Sequence, residues 1–152
     1  MLNGNKRCSK VQGLNPLERD LIYAYLQGSV YRRCNEKPND WFAARDLVGG
    51  KNYYWQGTPL IVVYERFRKA YPQRSSEYAE ELAAKAIGHM LKRVIVDDKR
   101  TFDMRKQDMV NQYKWTGAEN NSITPAWQKS AAAWYKKLRK NVEECEQYAA
   151  KR

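Results

Sequence analysis

Residues 79 to 94 carry the pattern that most limits how the chain can fold. Ala79, Leu82, Ala83, Ala86, Ile87, Met90, Leu91 and Val94 recur at intervals of three and four. They form one apolar stripe of a helix, which must be buried against other elements. Glu77, Glu80 and Glu81 occupy its first turns, with Lys92 and Arg93 in its last, an order that suits the helix dipole. The stripe leaves Glu81, Lys85, Gly88, His89 and Lys92 facing solvent. Gly88 costs about 1 kcal/mol against alanine, so it implies close approach of a partner's backbone or of a neighbouring helix. Past Val94 the period falls to two. "VIV" is strand-like, Phe102 and Met104 share one side, and Met109, Asn111, Tyr113 and Trp115 share a side of the next run. Two charged turns compete for the tip of the resulting hairpin, Asp97 to Arg100 and Arg105 to Asp108.

Shorter signals set the elements before it. In "NPLE", Asn15 is an N-cap, Pro16 opens a helix and Glu18 completes a capping box. Leu17, Leu21, Ile22, Tyr25 and Leu26 follow at helical spacing, and Gly28 ends or weakens the pattern. After the turn "NEKPND", Asp40 caps a short helix, "WFAARDLV", which Gly49 and Gly50 stop. Tyr53, Tyr54 and Trp55 then fall in a loop, where they either fold over the core or stack on bases; burial is the stronger expectation for rings of that size. Thr58 and Pro59 open a helix with Leu60, Val63, Tyr64, Phe67 and Tyr71 on one face, ended by Pro72. Ser75 or Ser76 caps the helix at 77–93.

Trp127, Ala131, Trp134, Leu138, Val142, Cys145 and Tyr148 or Ala149 recur at nearly heptad spacing after Thr124 and Pro125. Lys129, Lys136, Lys137, Arg139 and Lys140 fill the positions between. A helix of that length outreaches a small core. It either pairs with a second copy, as a short coiled coil does, or lies along its own domain. The expected organisation is a flexible basic arm at 1–14, a domain at 15–115 and an amphipathic helix at 124–150. The fold class is mainly α, with a small antiparallel hairpin or three-stranded sheet and a long C-terminal helix.

The 152 residues include 28 Lys and Arg against 17 Asp and Glu, a net charge of +11. Such an excess favours polyanionic partners. No apolar run is long enough to span a bilayer, and "MLNGNKRCSK" has no signal-peptide core. Cys8, Cys34 and Cys145 are odd in number and lack metal spacing, which suits reduced thiols in the cytoplasm.

Helices of which the last runs into a hairpin with a basic turn resemble the winged helix-turn-helix family of DNA-binding domains, over about residues 15–115. The resemblance implies that the helix before the hairpin enters the major groove and that the hairpin is a wing touching backbone or minor groove. Lys85, His89, Lys92 and Arg93 would then face DNA, and Lys99, Arg100, Arg105 and Lys106 would be wing candidates. The helix at 59–71 would be the partner of the recognition helix, giving four helices where three are usual. Asp97 and Asp98 place negative charge beside one of the two turns. The segment from Trp41 to Trp115 is also similar to small proteins of phages and mobile elements.

Catalysis finds little support. The single histidine, His89, excludes a two-histidine zinc site, and "GGK" at 49–51 lacks the rest of a phosphate-binding loop. Asp97, Asp98 and Asp103 with Lys99 come nearest to a metal-dependent nuclease, but their spacing is too compressed. No enzyme activity, cofactor or metal is expected. The expectation is a regulator that binds duplex DNA and dimerises through 124–150, with no membrane partner. Two alternatives stand beside it: a phage-type inhibitor of a nucleic-acid enzyme, as in anti-restriction or anti-CRISPR proteins, and an RNA-binding protein using some of the eleven tyrosines and five tryptophans.

Overall fold

The computed structural model describes residues 13–49, 55–122 and 126–150. Lys6, Arg7 and Lys10 of the expected arm, Tyr53 and Tyr54 of the aromatic loop, and the expected cap Thr124 with Pro125 lie outside the described residues. The chain is mainly helical, with a two-stranded antiparallel hairpin and a C-terminal helix.

Helix α1 spans Pro16–Glu36. Asn15 Oδ1 accepts from the Glu18 backbone N–H at 2.8 Å, and Glu18 Oε2 accepts from the Asn15 N–H at 2.9 Å, so the capping box is complete. Gly28 does not end this helix. Ile22, Leu26, Val30 and Cys34 continue one buried line through it, and that burial outweighs the cost of one glycine. Leu17 and Leu21 remain on the exposed side. Leu14, assigned to the arm, is instead part of the core.

Helix α2 is only Ala44–Leu47, shorter than its sequence pattern implies. Its first turn is held by Asp46 Oδ2, which accepts from the Ala43 N–H at 2.7 Å, so Asp40 is not the cap. Phe42 is extended and forms a reciprocal bridge with Tyr113, N–H to carbonyl at 2.9 and 2.8 Å. Gly49 ends the segment at φ 97°, a conformation that disfavours side chains. Trp55 is buried, and its Nε1 donates to the Val48 carbonyl at 3.2 Å, so this ring belongs to the core.

Helices α3 (Ile61–Ala70) and α4 (Ser76–Asp97) pack together. Ser75 caps α4 by accepting from the Tyr78 N–H at 3.3 Å. The expected stripe is buried, with Leu82 at its half-covered edge. The helix runs further than expected. "VIV" at 94–96 is its last turn and not a strand, because Val94 and Ile95 bury into the same core. Gly88 has nothing within 4 Å of where a Cβ would stand, so no neighbouring helix explains it.

Strands β1 (Arg100–Gln107) and β2 (Val110–Glu119) pair with Phe102 opposite Trp115 and Met104 opposite Tyr113. Their tip is the two-residue turn Asp108-Met109, with φ of 49° and 64°, as in a type I′ hairpin. The hairpin tip is therefore the second of the two expected turns, while Asp97 to Arg100 is a helix-to-strand junction. A bulge near Thr116–Ala118 offsets the ladder's open end, where Gly117 takes φ 86° and Thr116 Oγ1 donates to the Thr101 carbonyl. Phe42, Phe102 and Tyr113 meet ring to ring at 6.0–6.2 Å under this sheet.

Helix α5 spans Ala126–Ala150 and meets α1. No helix among the described residues is long and apolar enough to cross a membrane.

Candidate nucleic-acid interface

The buried stripe of α4 dictates what its other side presents. Glu77, Glu81, Lys85, His89 and Arg93, four residues apart, form its most exposed line, with Gly88 and Lys92 half-buried beside it. The line changes sign along its length. Glu77 and Glu81 make the first half acidic, and hydrogen bonding from its own backbone N–H and from Ser75 holds the Glu77 carboxyl below its ordinary value. Lys85, His89, Lys92 and Arg93 make the second half basic, and that half leads into the hairpin. Arg93 Nε also holds Asp97 Oδ2 at 2.7 Å, a pair across one turn of the helix.

The four wing candidates part ways. Arg100 is buried and bound to Asp98, so it cannot contact a ligand and is withdrawn from the set. Burial there reflects the junction's role in joining α4 to α1: Asp98 Oδ2 also accepts from Gln27 Nε2 at 2.6 Å, and the Arg100 guanidinium lies 4.7 Å from the Tyr31 ring centre. Cys34 lies against this junction, and burial pushes its thiol up despite the nearby Arg100 cation. Lys99 lies 3.5 Å from Glu119, which offsets its charge. Arg105 and Lys106 reach the tip on successive positions of β1, so they project from opposite faces of the hairpin.

One cluster escaped the sequence reading. Trp41 is half-buried, with the Arg105 guanidinium 4.2 Å and the Lys114 ammonium 5.4 Å from its ring centre. Arg105 Nε also donates to Gln112 Oε1 at 2.8 Å across the ladder. A cation over an aromatic face is held in place while keeping its charge available. The signal was in β2: Lys114 alternates with the inward Tyr113, which puts it on the outer face with Arg105. Trp41 was hidden because its neighbours looked helical.

The acidic residues near the junction do not assemble. Asp98 faces inward to Arg100 and Gln27, and Asp97 faces Arg93. Among the described residues no group of three His, Cys, Asp or Glu side chains could hold a metal ion. The chain matches no protein-family model, no curated protein and no solved structure.

Proposed function

We infer that the protein binds duplex DNA, using the basic half of α4 and the outer face of the hairpin, and that it acts as a DNA-binding regulator. The observation that carries this reading is the switch of charge along the exposed line of α4. Its cations gather at the end continuous with a hairpin whose outer face bears Arg105 and Lys114, Lys106 lying on the opposite face near the tip. Helix, helix and hairpin in that order, packed on one core, support the winged-helix likeness, with α3 as partner of α4. Phosphate contacts from these side chains supply most of the affinity, and α4 supplies what sequence preference there is.

The chain pairs with a second copy through α5, whose apolar line stays exposed on the single chain: Trp134 at 57 %, Val142 at 49 % and Tyr148 at 68 %. A dimer gives two copies of the basic surface, as suits a two-fold site.

The deciding experiment is a fluorescence-anisotropy titration with duplex DNA, single-stranded DNA and RNA over a salt series. Duplex DNA is expected to bind most tightly, with log K falling linearly against log salt. Preference for RNA would move the function to RNA binding. Absence of binding to all three at low salt would overturn nucleic-acid binding and leave a protein target.

A further inference from the structure

Resting on the dimer reading above, we propose that the two α5 helices pair antiparallel, each basic half lying along the acidic half of the other. Along α5 the charges are segregated. Lys129, Lys136, Lys137, Arg139 and Lys140 occupy the first part with no acidic residue among them, and Glu143, Glu144 and Glu146 follow with no basic residue before position 150. A parallel pair would set cations beside cations and glutamates beside glutamates. Like charges so placed repel along the whole seam.

The heptad seam adds a register. Ala131, Trp134, Leu138, Cys145 and Tyr148 fall on it, and all but Ala131 are exposed in the single chain. In the antiparallel arrangement Trp134 lies beside Cys145 of the second copy and Ala131 beside its Tyr148, so each large side chain meets a small one. The flanking positions then place Lys137 beside Glu144 of the second copy, twice by symmetry. Within the chain Glu144 already lies 3.7 Å from Lys140, an exposed pair that holds the carboxylate on this side of the helix. Trp134 and Tyr135 stack edge to face at 5.7 Å, forming an aromatic anchor near the middle of the helix. Between Leu138 and Cys145 the strict heptad position is the polar Asn141, facing Leu138 of the second copy, and Val142 of the apolar line flanks it. Such a residue costs stability and fixes register.

The test uses the full chain, by sedimentation equilibrium and by mapping of disulfides after mild oxidation. Wild type is expected to be a dimer that forms no Cys145–Cys145 link, since the antiparallel seam separates the two thiols by roughly ten residues of helix, about 15 Å. Lys137→Glu and Glu144→Lys are each expected to weaken the dimer by about tenfold, through two exposed contacts made repulsive. The double variant Lys137→Glu/Glu144→Lys is expected to recover wild-type affinity. A dimer that links through Cys145 to Cys145, or that the double variant fails to restore, overturns the antiparallel arrangement alone. A monomer at high concentration overturns the dimer itself.

Discussion

Asp98 grips Arg100 with both carboxylate oxygens, Oδ1 to Nε and Oδ2 to Nη2 at 3.1 Å each, and the two side chains are only 1 % and 4 % exposed. Gln27 of α1 completes the carboxylate's partners, and the Arg100 backbone N–H adds a bond at 2.8 Å. A buried pair of this kind is costly to break, because the survivor is left charged in the interior. Asp98→Ala is therefore expected to cost about 3–5 kcal/mol in urea denaturation. Arg105→Ala, removing an exposed cation from Trp41, is expected to cost about 1 kcal/mol or less. A stability unchanged in Asp98→Ala would show that this junction does not tie the hairpin to α1.

Gly88 separates stability from binding. Alanine there meets no atom within 4 Å and is expected to stabilise the protein by about 1 kcal/mol, because glycine is a poor residue inside a helix. If a DNA backbone passes close to this face, the same variant binds duplex DNA more weakly despite its higher melting temperature. Unchanged affinity would mean that the ligand does not approach α4 at Gly88.

The hairpin tip stores strain that can be relieved. Met109 is 85 % exposed and sits at φ 64°, where a side chain is disfavoured and glycine is the usual occupant. Met109→Gly is expected to raise stability by about 1 kcal/mol, read as a higher melting temperature. A loss of stability would show that the Met109 side chain makes contacts that outweigh the strain.

The helical core was legible because burial imposes a period. The stripe of α4, the capping box of α1 and the stop at Gly49 all followed from local chemistry. Failures came where a local preference met a tertiary contact. Val94, Ile95 and Val96 are β-branched and favour strands, yet burial of the first two keeps them helical. "WFAARDLV" reads as a helix from Trp41, but the bridge to Tyr113 draws Phe42 into the sheet and leaves Trp41 on its outer face. For the site, Lys85 and His89 were readable as exposed from the stripe opposite them. Arg100 was not readable as buried, because Tyr31, whose ring it covers, and Gln27, which donates to its partner Asp98, lie about seventy residues away in sequence.

DNA binding through α4 is tested most directly by the salt dependence of duplex DNA binding in Lys85→Ala, Lys92→Ala and the double variant, each checked for native circular dichroism. Both positions lie off the buried stripe, so the fold is expected to survive, whereas Leu91→Ala at the fully buried Leu91 is expected to lose about 2–5 kcal/mol. Each lysine that neutralises a phosphate contributes about one unit to the slope of log K against log salt. Weaker binding is expected, with a slope reduced by about one unit in each single variant and by about two in the double. Wild-type affinity and slope in the folded double variant would contradict DNA binding through α4.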